Sequence, residues 1–248
     1  MSVLSQLAPE SVDLVYIDPP FGTNVTQNAH GMSYDDSSSG YEDFLRSCIC
    51  VVHRVLKSTG TMYLHLDWRY SHLARVHGDV CFGASNFLNE VIWSYNYGGR
   101  GKDRWPRKHD NILVYAKHAG SHVFNWNDIP RIPYKAPEMQ RVGRSPEEAA
   151  ERIERGQVPT DVWEMSIVGT ASKERTGYPT QKPLKLLERI VLASSPPGGL
   201  VVDVFAGSGT TGAAALKHGR SFVLADVNPQ AIAVMKERFK DAEVAWAE

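Results

Sequence analysis

An acid, two prolines and an aromatic residue stand together at Asp18-Pro19-Pro20-Phe21, directly after an apolar run. The carboxylate of Asp18 and the backbone carbonyl of Pro19 can both accept hydrogen bonds, and the prolines restrict the φ angles that position these acceptors. Phe21 offers a flat face on which a ring can stack. The combination predicts a rigid acceptor pair for an amino group, beside an aromatic plate. The alternative interpretation is a strand end followed by a rigid turn, with no chemistry.

A second group of residues that could do chemistry lies at 206–212, near the other end of the chain. Gly207, Gly209 and Gly212 give the spacing G-x-G-x-x-G between an apolar run and a helix-like segment. Because these glycines lack Cβ atoms, a cofactor can approach the backbone and the helix can pack on the strand. The next apolar run ends in Asp226, which can accept hydrogen bonds from ribose hydroxyls. These residues predict a site for either a nicotinamide dinucleotide or S-adenosylmethionine.

The pairing of the two motifs resembles a known family, the S-adenosylmethionine-dependent amino-methyltransferases that methylate adenine or cytosine in DNA. The tetrapeptide at 18–21 is similar to the family's (D/N/S)PP(Y/F/W) motif, and the run at 205–211 is similar to its FxGxG motif. The segment at 174–183, which ends in Tyr-Pro-Thr-Gln-Lys-Pro, also resembles these enzymes. A catalytic motif that precedes the cofactor motif resembles the β class, which includes the modification subunits of type III restriction systems and solitary adenine methylases. The resemblance covers nearly the whole chain.

This resemblance implies a Rossmann-like α/β fold, with a mostly parallel central sheet, helices on both faces and a circularly permuted order of motifs. It implies one methyltransferase domain over residues 1–248, with S-adenosylmethionine as the cofactor. The segment at about 124–172 is the candidate for an inserted target-recognition region. The polar stretch at 22–40, which shows no periodicity of its own, is expected to form a loop that closes over the target base.

The resemblance also assigns roles to residues. The predicted catalytic residues are Asp18, Pro19, Pro20 and Phe21. Asp203 is expected near the amino group of the cofactor, and Asp226 at its ribose hydroxyls. The predicted cofactor-binding residues are Thr180, Lys182, Pro183, Asp203, Phe205, Ala206, Gly207, Ser208, Gly209, Thr210, Thr211 and Asp226.

Positive charge is concentrated in one part of the chain, although the net charge is −1. Between residues 97 and 144 there are ten basic residues and four acidic ones. Glycines and Trp105 lie among these basic residues, as expected of a loop that contacts phosphates and stacks on bases. An ordinary solvated surface is the alternative. The predicted DNA-binding residues are Arg100, Lys102, Arg104, Arg107 and Lys108.

The elements that must position these residues follow from periodicity and capping. Apolar runs predict strands at 12–18, 61–66, 90–95, 112–115, 200–205 and 221–226. Helices are predicted at 1–7, 40–55, 68–80, 146–155, 182–193 and 229–239. The predicted helix caps are Ser39, Ser145, Thr180 and Asn228. Both candidate sites would then lie at the carboxyl ends of strands, the edge where open α/β sheets bind ligands.

The cysteines and histidines predict no metal centre. Cys48, Cys50 and Cys81 form no C-x-x-C pair and are odd in number, so we predict neither a zinc site nor a disulfide framework. Histidines such as His65 lack metal-ligand companions and are expected at packing or surface positions. The sequence contains no signal peptide and no stretch of transmembrane length, which predicts a cytoplasmic protein without a membrane partner.

The predicted function is transfer of a methyl group from S-adenosylmethionine to the exocyclic N6 amino group of adenine in DNA, after the base has flipped out of the duplex. The implied partner is double-stranded DNA; a restriction subunit and a second copy of the chain are further partners that the resemblance suggests. The nearest alternative is the same chemistry on N4 of cytosine. A catalytically silent DNA-binding subunit is another, because relatives usually carry an earlier strand ending in Gly-Asp and no such pair precedes Val12. A nicotinamide-dependent oxidoreductase is the most distant alternative.

Overall fold

The computed structural model describes residues 2–20, 27–29, 32–34, 40–99, 101–134 and 145–247. The strands are β1 (Val12–Ile17), β2 (Gln27–Ala29), β3 (Met32–Tyr34), β4 (Leu56–Leu66), β5 (Phe87–Ser94), β6 (His109–Ala116), β7 (Val162–Glu164), β8 (Leu200–Asp203) and β9 (Ser221–Leu224). The α-helices are α1 (Ser2–Gln6), α2 (Tyr41–Val55), α3 (Ser71–Phe82), α4 (Pro146–Arg155), α5 (Leu184–Ser194), α6 (Thr210–Lys217) and α7 (Pro229–Arg238).

One sheet of seven strands organises the fold, in the order β7-β5-β6-β4-β1-β8-β9. Neighbouring strands are parallel except at β6, which runs antiparallel to both β4 and β5. β1 lies between β4 and β8 and pairs in parallel with each. The prediction of a mostly parallel sheet is therefore confirmed. Because β1, β8 and β9 run in the same direction, the residues that follow these strands meet at one edge.

Helices cover both faces of the sheet, as predicted. α2 and α3 pack on one face, where the core includes Val15 and Ile17 of β1. α5 and α6 pack on the other face, where the core includes Leu14 and Tyr16. Every residue of β1 is buried, because successive side chains of a strand point to opposite faces and both faces are covered. The same alternation directs the side chain of Asp18 to the face that carries Tyr16.

The helix starts were predicted with mixed success. Ser145 and Asn228 cap α4 and α7, as predicted. The N-cap of α2 is Gly40, one position after the predicted Ser39, which lies outside the described residues. The predicted cap at Thr180 is wrong, because α5 begins at Leu184 with Pro183 as its N-cap.

A turn before α5 explains the misplaced cap. The side-chain oxygen of Gln181 accepts the backbone N–H of Thr176 at 2.8 Å, and its amide nitrogen donates to the carbonyl of Glu174 at 2.7 Å. These bonds fold the segment back on itself, so that the chain enters the helix only after Pro183.

Two predicted loop or insert regions contain strands. In the stretch 22–40, β2 and β3 pair in antiparallel fashion, which corrects the expectation of a loop without secondary structure. Strands of three residues are too short for alternation to be read from sequence; the other residues of 22–39 lie outside the described part. Within 124–172, β7 pairs with β5 and forms one edge of the main sheet.

The prediction of no disulfide is wrong. Cys50 of α2 and Cys81 of α3 form a disulfide, with their Cα atoms 5.2 Å apart. The two helices pack against each other on the same face of the sheet. The spacing of the cysteines along the chain does not show this contact. Cys48 is free and buried, and burial raises the pKa of its thiol to about 12.

No helix in the described ranges is long and apolar enough to cross a membrane. The same part of the chain contains no group of three or more His, Cys, Asp or Glu side chains placed to hold a metal ion.

Candidate active site

A cavity of about 120 Å³ opens at the carboxyl edge of the sheet. Its lining brings together the two ends of the sequence: Asp18 follows β1, the glycine loop at 205–211 follows β8, and Asp226 follows β9. Open α/β sheets bind ligands at this edge. The two motifs from which a site was predicted therefore share one cavity.

Most of the predicted site residues line this cavity. They are Asp18, Pro19, Pro20, Thr180, Lys182, Asp203, Phe205, Ala206, Gly207, Ser208, Thr210, Thr211 and Asp226. Pro183 and Gly209 do not line it. They are the N-caps of α5 and α6. A Cβ at Gly209 would lie 2.9 Å from Met235 of α7, so this glycine serves helix packing. Phe21 lies outside the described residues.

Asp18 is held on one side and open on the other. Its Oδ2 accepts a hydrogen bond from Nζ of Lys182, and the two largely buried side chains form an ion pair. Its Oδ1 is buried and has no hydrogen-bond partner among the described residues. A buried acceptor without a donor is unfavourable, and each such group in a folded protein calls for an explanation. The arrangement leaves one preset acceptor for a donor that enters the cavity.

Two carboxylates hold the glycine loop in place. Oδ1 of Asp203 accepts the backbone N–H of Phe205 at 3.0 Å, and Oδ2 accepts the hydroxyl of Thr211 at 2.5 Å. Burial raises the pKa of Asp203 to about 7, although both hydrogen bonds favour its charged form. Asp226 accepts the N–H of Gly207 at 2.8 Å and so ties the end of β9 to the loop. Both acids shape the loop as well as lining the cavity.

Gly207 marks a close approach between the loop and an aromatic ring. Its φ is +50°, and a Cβ there would lie 2.9 Å from the ring of Tyr178. Tyr178 is buried, and burial together with the charge of Asp226 raises the pKa of its hydroxyl to about 12. A side chain at position 207 would displace this ring from the cavity wall.

A chain of hydrogen bonds that the sequence analysis missed runs from the cavity into the sheet. The hydroxyl of Tyr16, which lines the cavity, lies 2.7 Å from Nδ1 of His65. Nε2 of the buried His65 lies 3.2 Å from Oδ2 of Asp110, whose Oδ1 accepts the hydroxyl of Tyr95 at 3.0 Å. One signal was available, since Tyr16 stands two residues before Asp18 and such residues share a face of a strand. The partners from β4 and β6 carry no sequence signal.

A family model described as DNA methylase matches residues 12–237. The chain belongs to this DNA methylase family. Among curated relatives, DNA adenine methyltransferase YhdJ of Escherichia coli (strain K12) is 32% identical over 233 residues, which are 94% of this chain and 77% of the relative. Type II methyltransferase M.HpaI of Haemophilus parainfluenzae is 32% identical over 241 residues, 96% of this chain and 71% of the relative.

The fold is also found in a solved structure of a DNA methyltransferase. The PvuII DNA methyltransferase (cytosine-N4-specific) superposes with a TM-score of 0.68 at 18% identity, covering 98% of this chain and 84% of that one. At this identity the similarity shows a shared fold. The Rossmann-like methyltransferase fold that the sequence predicted is therefore confirmed.

A DNA methylase needs a surface for DNA near its active site. The segment 95–108 lies at the carboxyl edge of the sheet, the edge at which the active-site cavity opens. It connects the carboxyl end of β5 to the start of β6, and β5 runs in the same direction as β1. Residues 101–107 are exposed, and the side chain of Trp105 is 92% exposed. A large aromatic side chain in open solvent, at the same edge of the sheet as the active site, is available for contact with a ligand such as DNA.

The predicted DNA-binding residues differ in their exposure to solvent and in their side-chain contacts. Lys102 and Arg104 are exposed, and Arg104 pairs with the neighbouring Asp103. The guanidinium of Arg107 lies 3.8 Å from the centre of the Trp68 ring. Arg100 lies outside the described residues.

Lys108 has a structural contact of its own. Its Nζ donates to the backbone carbonyls of Tyr97 at 2.6 Å and Gly98 at 2.5 Å. These bonds close the base of the loop, so Lys108 shapes the segment that presents Lys102 and Trp105.

Proposed function

We propose that this DNA methylase transfers the methyl group of S-adenosylmethionine to the N6 amino group of adenine in DNA. The observation that carries the proposal is the buried Oδ1 of Asp18, which has no donor among the described residues and lies in the same cavity as the glycine loop. Membership of the family supports the reaction class, and the similarity to the DNA adenine methyltransferase YhdJ favours adenine as the base.

The cavity residues fit S-adenosylmethionine, the cofactor that this family uses. The loop at 205–209 brings backbone close to the cavity, and Asp226 keeps lone pairs for ribose hydroxyls beyond the two N–H groups that it already accepts. We assign the loop to the methionine and ribose parts and Asp226 to the ribose. We assign Asp203 to holding the loop in place, because both of its oxygens accept hydrogen bonds from loop residues. When bound, the cofactor supplies a methyl group on a sulfonium.

Asp18 acts on the attacking amino group. The lone pair of this nitrogen is delocalised into the base, which makes it a weak nucleophile. Oδ1 of Asp18 and the carbonyl of Pro19 accept hydrogen bonds from the two amino protons, direct the lone pair toward the methyl group and stabilise the positive charge that develops on nitrogen. An N–C bond forms as the S–C bond breaks, and the nitrogen then gives up one proton to water. Because the transfer is an in-line displacement, positioning contributes much of the rate.

The target adenine must leave the duplex to reach Asp18. We assign Phe21, outside the described residues, to stacking on the flipped base, which would contribute roughly 1–3 kcal/mol. Lys102 and Arg104 are assigned to backbone phosphates, where cations release bound counterions. The segment at about 124–172 is assigned to recognition of the DNA sequence.

The reaction also indicates where the chain works and with which partners. Since its substrate is DNA, we propose that the protein acts in the cytoplasm. A homodimer and a restriction subunit are further hypotheses from the family. Light scattering of the purified chain tests the first, and co-purification from its native host tests the second.

The decisive experiment is incubation of the purified chain with unmethylated genomic DNA and S-adenosylmethionine, followed by mass spectrometry of the nucleosides. We expect N6-methyladenine with the wild-type chain and none with Asp18→Ala. Asp241→Ala, which removes an exposed acid near the carboxyl terminus, is the matched control and retains activity.

Two other outcomes would overturn the proposal in different ways. N4-methylcytosine in place of N6-methyladenine would keep the chemistry and change the base, as the fold shared with the PvuII enzyme allows. No methylation, together with no heat of cofactor binding in calorimetry, would favour the silent DNA-binding subunit.

A further inference from the structure

A second cavity, of about 250 Å³, lies on the same face of the sheet as the first and shares none of its lining residues. Helix α5 contributes to both: Leu187 lines the first cavity and Arg189 lines the second. The other walls are strands β4 to β7 and two segments at 122–129 and 158–161. Its volume is close to the lower end of ligand pockets, roughly 300–1,000 Å³.

Arg189 is a buried cation that has no anionic partner among the residues that the structure describes. The residue is 6% exposed, its Nε is buried without a hydrogen-bond partner, and its guanidinium forms no ion pair within the described part of the chain. Burial alone lowers the pKa of Arg189 to about 10. Its guanidinium lies over the ring of Trp163, whose centre is 5.0 Å from Cζ. Buried charges are ordinarily paired, because burying an unpaired charge is strongly unfavourable.

The remaining lining is largely apolar. Leu88, Val91, Val114 and Ile129 form much of the wall, and Trp163 stands beside the guanidinium. An occupant with an apolar body would bury its surface here, at roughly 25 cal/mol for each Å² removed from water.

Three further ionisable groups line the cavity, and burial raises the pKa of one of them, the hydroxyl of Tyr63, to about 12. Asp161 is exposed and pairs with no cation among the described residues, so it lies in contact with solvent. Burial lowers the pKa of His122, so this side chain is neutral near pH 7. Arg189 is therefore the buried charge that an occupant must neutralise.

We propose that this cavity binds a small organic anion, a carboxylate whose charged end pairs with Arg189 and whose apolar body packs against Trp163 and the strands. A planar guanidinium matches a carboxylate through paired hydrogen bonds, which a neutral amide cannot reproduce. The occupant is not a cofactor of the first cavity, since the two cavities have no residue in common.

The test uses 3-phenylpropionate as the probe and 3-phenylpropionamide as its neutral match. Each is titrated into the full chain by calorimetry, with and without saturating S-adenosylmethionine. We expect the acid to bind with a Kd of about 1 mM or tighter and the amide at least about tenfold more weakly. Binding of the acid should be unchanged by S-adenosylmethionine. Equal affinity for acid and amide, or loss of acid binding when S-adenosylmethionine is present, would overturn the proposal.

Variants test the role of Arg189 directly. Arg189→Met should weaken acid binding at least about tenfold, while Lys185→Met, an exposed cation on the same helix, should leave it unchanged. If Arg189→Met does not fold, the wild-type chain labelled with nitrogen-15 at arginine gives the answer by NMR. The buried Nε–H signal must then shift on addition of the acid and not of the amide; an unchanged signal refutes the assignment.

Discussion

Lys182 and Asp18 form an ion pair in the catalytic cavity, although 164 positions separate them along the chain. The ammonium lies on Oδ2, which leaves Oδ1 as the oxygen that faces a ligand. Two further acids, Asp203 and Asp226, line the same cavity. Lys182 therefore both orients the catalytic carboxylate and offsets part of the negative charge around it.

Replacement of Lys182 tests this orienting role. Lys182→Met should lower kcat for methylation by roughly 10²-fold, because small misplacements of a catalytic group have effects of this size. Lys185→Met removes an exposed cation from the same segment and should leave kcat unchanged. Tritium transfer from labelled S-adenosylmethionine to DNA measures both. Equal kcat values for wild type and Lys182→Met would show that the ion pair does not position Asp18.

The hydrogen-bond chain behind the cavity predicts a second effect. Tyr16→Phe removes the hydrogen bond between the Tyr16 hydroxyl and Nδ1 of His65 and should lower the free energy of unfolding by about 1–3 kcal/mol. It should also lower kcat, since Tyr16 lines the cavity. Tyr115→Phe loses a comparable bond to Asp79, 2.7 Å long, on the opposite face of the sheet. Urea denaturation should show similar losses for the two variants; a normal kcat for Tyr16→Phe would limit this chain to a role in folding.

Gly207 allows a comparison between two glycines with positive φ. Gly207→Ala and Gly219→Ala both place a Cβ at φ of +50° and +68°, a strain of roughly 1–2 kcal/mol. A Cβ at 207 meets the ring of Tyr178 at 2.9 Å, whereas nothing lies within 4 Å at 219. Both variants should lose stability, but calorimetry should show weaker S-adenosylmethionine binding, by about tenfold or more, for Gly207→Ala alone. Equal affinities would remove Tyr178 from the cofactor site.

The buried carboxyl of Asp203 predicts a pH dependence of stability. Its pKa rises from 3.8 to about 7 on folding, so the folded state binds the proton more tightly than the unfolded state. The resulting stabilisation is complete below the lower value and is lost as pH rises through the higher one. The melting temperature of the wild type should therefore fall more steeply over this window than that of Asp203→Asn. Asp241→Asn should follow the wild type; parallel curves for all three would contradict the assignment.

Trp105 predicts a contribution to DNA binding that does not involve the cofactor. Trp105→Ala should raise the Kd for duplex DNA by about tenfold, because stacking of one base contributes roughly 1–3 kcal/mol. Trp246→Ala, at an exposed tryptophan near the carboxyl terminus, is the control. Fluorescence anisotropy with a labelled duplex measures both, and cofactor affinity should stay the same. An unchanged Kd for Trp105→Ala would mean that the exposed ring does not touch DNA.

The sheet, and the position of the two motifs in one cavity, could be predicted because both depend on short stretches of sequence. β1, β8 and β9 are short apolar runs that end in acids or glycines, and parallel strands bring such ends to one edge. Proline at the start of α4 and α7, after a capping residue, marked both helices accurately.

Contacts between distant elements could not be predicted in the same way. The pairing of Lys182 with Asp18 depends on the turn that Gln181 holds, and the partners of Tyr16 lie on two other strands. Arg189 follows the acid Glu188 on α5, and its burial results from the segments that cover this part of the helix. Such contacts arise from packing, for which a single sequence carries no periodic signal.

β1 and β8 lie side by side in the sheet, with Leu14 opposite Val201 and Val15 opposite Val202. Joining them closes a loop of most of the chain, and the entropy lost on closure grows with loop length. During synthesis β1, which Asp18 follows, leaves the ribosome long before its neighbour β8. A translation product that stops before β8 therefore contains the acid but lacks the glycine loop, and it has no place for the methyl donor.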